Sequence, residues 1–341
     1  MNTRLLGPGE IETAAEIIQN GGLVGIPTET VYGLGANGLD PEAVGRIFLA
    51  KGRPQDNPLI LHIPAVSWLE RFCKNIPPSA YVLAQRFWPG PLTLILDRRS
   101  NVPNQTTGGL DTVGMRCPDH PAARAVIEAA GVPVAAPSGN TSGRPSPTTA
   151  QRMLEDMDGK IDAILDGGPC TVGVESTILD LTCPVPRLLR PGGVTLEQLR
   201  EVLGEVVVDE AVTRQMGAGE RPRAPGMKYR HYAPKAPVTV VRGEPEQTAA
   251  YIRAHRLRWH GVICFEEYRE AFSKGLRGGV VVSLGPAADK DEHARRLFDA
   301  LRAMDGTSVN HIWAQCPDGS GIGLAVNNRL SKAAGFHIVE V

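Results

Sequence analysis

Apolar residues recur along this chain in two alternating patterns. A helical period covers Glu10 to Asn20 and stops where Gly21 can end the turn. Short apolar runs follow at Leu23 to Ile26, Leu59 to Ile63, Leu92 to Leu96, Val134 to Ala136, Ala163 to Leu165 and Glu175 to Leu181, each of strand length. Between them, Asp40-Pro41-Glu42 reads as a helix start: a capping side chain, a proline in the first turn and an acid beside it, with the helix running to about Lys51. Asp119 is expected to begin a helix ending near Ala130-Gly131, and Thr195 to Leu203 a last one. The alternation stops between Ala211 and Pro237, then resumes with strands at Val238 to Val241, Val262 to Phe265, Val280 to Leu284 and His311 to Ala314, and a helix at Ala288 to Met304. Strands interleaved with helices imply an α/β chain with a substantial sheet, in two blocks.

The interruption has its own chemistry. It carries Arg214, Arg221, Arg223, Lys228, Arg230 and Lys235 against one acid, Glu220, and four prolines. This composition predicts an extended, positively charged linker. Within it, Lys228-Tyr229-Arg230-His231-Tyr232 interleaves cations and aromatic rings.

Length and charge narrow the picture. At 341 residues the chain can bury two cores without staples. A net charge of −1 argues against a general nucleic-acid binder. No apolar run approaches the roughly 18 residues of a membrane helix. Met1 to Glu10 shows no secretory pattern, so a cytoplasmic location is expected. Six scattered cysteines without a C-x-x-C pair speak against structural zinc and a disulfide framework.

Four segments rich in Gly, Pro and hydroxyl residues follow predicted strands, where α/β proteins build sites. They are Pro27 to Gly35, Lys51 to Pro58, Ala136 to Ser146 and Gly173 to Thr177. If Lys51-Gly52-Arg53 is extended, both cations point to one side and suit a polyphosphate, Arg as a fork and Lys as a point charge. Ser138 and Asn140 flank Gly139 and could offer a hydroxyl and an amide to phosphate oxygens or a metal-bound water. No Walker A ending occurs. Gly319 to Ala325 fails to complete a dinucleotide fingerprint and reads as a tight turn in a supporting domain.

Taken together, Thr28-Glu29-Thr30-Val31-Tyr32-Gly33-Leu34, Lys51-x-Arg53-Pro54 with Asn57-Pro58-Leu59, and Ser138-x-Asn140 resemble the threonylcarbamoyl-AMP synthases, whose catalytic domain is YrdC-like. The run Ala224 to Pro234 resembles the long form of that family, so the likeness spans nearly the whole chain. It implies an N-terminal YrdC-like twisted mixed sheet with flanking helices over residues 1–208, a basic lid-forming linker over 209–237, and a smaller Rossmann-like α/β domain over 238–341. It also implies that L-threonine and bicarbonate form a carbamate that attacks the α-phosphate of ATP, giving L-threonylcarbamoyladenylate and pyrophosphate for tRNA modification.

By position, the family's catalytic tetrad falls on Lys51, Arg53, Ser138 and Asn140. ATP contacts fall on Arg53, Asn57, Thr112, Ser138, Ser146, Arg190 and His231, and L-threonine contacts on Thr30, His62, Arg116, Ala136 and Ser176. Tyr229, His231 and Tyr232 would form the lid over the nucleotide. Mg2+ is expected on ATP rather than on protein side chains. The implied partners are ATP, L-threonine, bicarbonate, downstream threonylcarbamoyl-transferring proteins and at most a weak contact with tRNA; no membrane is expected. Two readings compete. One is an RNA- or ribosome-binding module without catalysis; the other is a carbamoyl-transferring relative acting in metal-centre maturation, whose zinc-binding Cys pairs this chain lacks.

Overall fold

Local signals set the first helices. Asp40 accepts from the Glu42 amide at 2.9 Å, Pro41 opens the helix Pro41–Lys51, and Gly52 closes it at φ 61°. The Thr195–Gln198 capping box starts the helix Leu196–Leu203. At Asp119 the expectation fails by two residues. Its amide is taken by Glu29 at 3.0 Å, and the helix runs Pro121–Ala130. The structure is a computed structural model and describes residues 2–214, 217, 222–227 and 231–341.

Twelve strands form the first sheet: β1 Arg4–Leu6, β2 Val24–Ile26, β3 Gly33–Asn37, β4 Ile60–His62, β5 Cys73–Lys74, β6 Leu92–Arg98, β7 Thr112–Arg116, β8 Val134–Ala135, β9 Ala163–Leu165, β10 Thr177–Asp180, β11 Arg187–Arg190 and β12 Val207–Val208. Their order is β1-β9-β2-β3-β8-β4-β7-β6-β10-β11-β12, with β5 on β6. Pairing is mixed: β4 runs parallel to β7 and antiparallel to β8. Strand β3 lies within a run that reads as a loop. It exists because its glycines permit close approach; a Cβ at Gly35 would stand 3.0 Å from Val134. Leu34, Leu61, Leu94 and Met115 share one core with the helices Pro41–Lys51 and Pro78–Phe87.

The second sheet holds β13 Val238–Arg242, β14 His260–Cys264, β15 Val280–Ser283, β16 His311–Gln315 and β17 Ile338–Glu340, all parallel, in the order β15-β14-β16-β13-β17. The fold is thus a large mixed sheet with helices plus a parallel C-terminal sheet.

The two layers are docked by apolar contact and buried charge. Val31 and Val174 share a core with Phe298, Leu330 and Tyr232. Arg302 donates to Asp156 at 3.0 Å and to the Pro145 carbonyl at 2.6 Å. A Cβ at Gly173, whose φ is +82°, would lie 2.4 Å from the Arg295 Cα, so only glycine fits this seam. Ala224 and Met227 of the linker cover Ile60, Ile95, Ile178 and Leu189 on the first sheet. Among the described residues no helix is long and apolar enough to cross a membrane.

Candidate active site

Strands β4 and β7 run side by side and end in register at His62 and Arg116. Ile60 and His62, two apart, face one side of the sheet. Over that face lies a cleft. Its wall comes from the β2–β3 turn (Thr28, Thr30), the loop after β8 (Ala136 to Asn140), the segment before β10 (Glu175, Ser176), the end of β11 (Arg190), and the linker (Pro225, Gly226, His231, Tyr232). Arg53 completes it.

At one end, Arg116 donates from Nη2 to Glu29 Oε1 at 2.7 Å, and the other Glu29 oxygen accepts the Asp119 amide. The pair is buried. Arg116 Nε and His62 Nδ1 are buried and have no partner among the described residues. Burial, then the Arg116 charge, pulls His62 down to about 3, so its ring is neutral. Thr30 is held by a 2.9 Å hydroxyl contact with Thr28. A neutral imidazole, a guanidinium and two hydroxyls at the end of a buried cleft suit a small zwitterion with a polar side chain.

The other end is cationic. Arg190 donates from Nε to the Ser176 carbonyl at 3.0 Å and from Nη2 to Ser176 Oγ at 3.1 Å, which aims its head. Its Nη1 reaches the Pro225 carbonyl in the linker at 3.4 Å. Burial and the nearby Arg329 lower its pKa to about 10, leaving it charged. Arg53 donates to the carbonyls of Asn57 (3.4 Å) and Pro58 (3.2 Å). Asn57 is buried with both amide atoms unpartnered among the described residues, as are Asn140 Oδ1 and His231 Nε2. Buried polar atoms without partners mark where a polar ligand is expected.

One expectation needs correction. Lys51 and Arg53 do not lie on an extended segment. Lys51 ends a helix, and left-handed Gly52 separates the two. The Lys51 amine is buried, absent from the cleft wall, and donates to the carbonyls of Ser138 and Asn140, the latter at 2.6 Å. It fastens the loop rather than facing the cleft. Burial draws its pKa well below that of a free lysine.

Of the other sequence-derived positions, Thr30, Arg53, His62, Arg116, Ala136, Ser138, Asn140, Ser176, Arg190, His231 and Tyr232 meet on the wall. Asn57 and Ser146 lie behind it, and Ser146 donates to Glu175 Oε1 at 2.5 Å. Thr112, at the start of β7, is not on the wall. Tyr229 lies outside the described residues. Glu175 falls in the candidate segment Gly173 to Thr177, where it could position water or metal, whereas Arg329 is not among the sequence-derived positions. Glu175 follows a glycine-rich turn, but Arg329 contacts it across 154 positions and carries no local signal.

The chain resembles known proteins along its length. A family model described as "Telomere recombination" matches residues 16–192, and one described as "Threonylcarbamoyl-AMP synthase, C-terminal domain" matches 194–335. Threonylcarbamoyl-AMP synthase of Pyrococcus abyssi is 49% identical, covering 97% of this chain and 96% of that protein. The Bacillus subtilis protein of the same name is 45% identical over 97% and 94%. A crystal structure of P. abyssi Sua5 complexed with L-threonine matches with a TM-score of 0.89 at 46% identity, covering 100% of both chains.

Proposed function

The chain belongs to the threonylcarbamoyl-AMP synthase family, and we propose how its cleft divides the work of that reaction. It condenses L-threonine, bicarbonate and ATP into L-threonylcarbamoyladenylate, pyrophosphate and water, the first step of threonylcarbamoyladenosine formation in tRNA. Arg116 forks the threonine carboxylate, while His62, Thr30 and Ser176 meet its amine and hydroxyl, and the Ala136 backbone borders them. Arg53, Arg190 and Ser138 receive the phosphates, with Asn57, Ser146 and His231 behind or above them; Asn140, whose amide nitrogen is committed to the Thr141 and Arg144 carbonyls, would accept through Oδ1 from a metal-bound water. Thr112, at the start of β7, is assigned to the nucleotide's adenosine end. Magnesium rides on the triphosphate. His231 and Tyr232 close the cleft and keep water from the adenylate. We place the reaction in the cytoplasm, with the product passed to threonylcarbamoyl-transferring proteins.

The observation that carries this reading is one cleft with a carboxylate-binding end, Arg116 beside neutral His62, and a cationic end, Arg53 and Arg190. Pyrophosphate release from ATP, with magnesium and bicarbonate, tests it. Release that needs L-threonine, is weaker with serine and yields a product of adenylate mass is expected. Release indifferent to threonine would overturn it.

A further inference from the structure

The helix Gly323–Ala333 belongs to the second layer, yet it reaches the floor of the cleft. Arg329 is fully buried, and its Nε donates to Glu175 Oε2 at 2.8 Å. Its Nη2 reaches the Glu175 carbonyl at 3.4 Å. The other Glu175 oxygen accepts from Ser146 at 2.5 Å. Glu175 forms part of the wall, whereas Arg329 stands behind it and does not. Three residues on, Lys332 donates from Nζ to the Gly226 carbonyl at 2.5 Å, in the linker turn that roofs the cleft. Residues three apart share a helix face. One face of a second-layer helix therefore grips both the cleft's carboxylate and its roof.

A carboxylate on a wall that must receive a triphosphate is a misplaced charge. Left alone it would repel the ligand or take up a proton. Burial alone would raise the Glu175 carboxyl, but Arg329, then Arg190, and the Ser146 hydroxyl outweigh it and hold the pKa near about 2. The acid is ionised, and both of its oxygens are engaged by the protein.

We propose that Arg329 is a positioning residue for the nucleotide: from the C-terminal layer it neutralises and orients Glu175, so that the wall presents a net cationic face to the phosphates. The C-terminal sheet then completes the ATP site instead of merely supporting it. This rests on the adenylation reading above.

The test uses the full-length protein. In Arg329→Met the KM for ATP rises about tenfold or more, the cost of one uncompensated like charge near a phosphate. The KM for L-threonine stays within about threefold. In the double variant Glu175→Gln/Arg329→Met, carboxylate and partner leave together, and the ATP KM returns to within about threefold of wild type. A purely structural Arg329 would lower kcat and melting temperature without this split or this rescue. Calorimetric ATP affinity, measured on the same proteins without threonine, follows the same pattern and reads the inference even if the adenylation reading falls. An unchanged ATP KM and affinity in Arg329→Met would overturn the proposal, as would a folded double variant as weak as the single one. If Arg329→Met does not fold, the double variant, which removes both members of the buried pair, decides alone. Near-wild-type ATP affinity in it supports the proposal; failure to fold, or affinity about tenfold weaker, refutes it.

Discussion

Replacing Lys51 with methionine keeps an apolar stem of similar length and removes the amine that ties two carbonyls together. Those carbonyls, of Ser138 and Asn140, belong to the loop that lines both ends of the cleft. Backbone bonds hold the loop elsewhere: Gly139 donates to Tyr32 at 2.7 Å, and Ser142 to the Lys51 carbonyl at 2.9 Å. These survive the change, so the fold should too. What is lost is satisfaction of two buried acceptors, each costing about 1–3 kcal/mol when left unpaired. The lower bound is about 2 kcal/mol, equivalent to about thirtyfold in the population of the productive loop.

The assay is threonine-dependent pyrophosphate release, with ATP and threonine varied in turn. We expect kcat/KM to fall by about thirtyfold or more for both substrates in parallel, with a melting temperature within a few degrees of wild type. The parallel fall is the diagnostic feature. A lysine that touched phosphate would show its loss in the ATP parameters alone. Activity within about fivefold of wild type, or a defect confined to ATP, would refute the clamp.

Two further predictions follow from the cleft. Arg116→Ala should raise the KM for L-threonine about 10- to 100-fold, as expected for a lost charge-assisted contact, and leave that for ATP within about threefold; substrate titrations check it. Burial, aided by neighbouring cations, holds His62 and His231 down at about 3, below their ordinary value of 6.5. Between those values the unfolded chain binds more protons, so stability is complete above about pH 6.5 and declines as pH falls toward 3. Melting temperature should therefore drop between about pH 7 and pH 5, with a shallower slope in His62→Gln; a flat profile would refute this.

The sequence revealed what is local and concealed what is distant. The helix Pro41–Lys51 was legible because Asp40, Pro41 and Gly52 act on their own neighbours. Strand β3 was not, since Gly33 and Gly35 weaken a strand signal and are justified only by the Ala136 and Val134 side chains that press on them. The importance of Lys51 is legible in the sequence but its direction is not: the left-handed cap at Gly52 turns the chain between the two cations. Within the site, His62 and Arg116 became interpretable only when β4 and β7 proved to be parallel neighbours ending in register. The turn at Gly319 to Ala325 suggested a supporting domain, yet the helix that follows it delivers Arg329 to Glu175.

The charges of the cleft argue for a particular economy of mechanism. Its two nearby acids are already matched, Glu29 by Arg116 and Glu175 by Arg329. Its two histidines are neutral well below neutral pH. Lys332, lowered to about 7 by burial and by Arg329, directs its amine at the Gly226 carbonyl. Among the described residues of the wall, then, no group is poised to exchange a proton with substrate near neutrality. The adenylation step needs no such group, because the carbamate reaches the α-phosphate already anionic, the proton and water of its formation having been given up before that step. The remaining barriers are the repulsion between two anions and the freedom of three reactants. In the proposed assignment Arg53 and Arg190 address the first, and a roofed cleft with one end for threonine and the other for the phosphates addresses the second. On this argument the second layer earns its place through charge: with Arg329 removed, Glu175 would oppose the field that brings the two anions together.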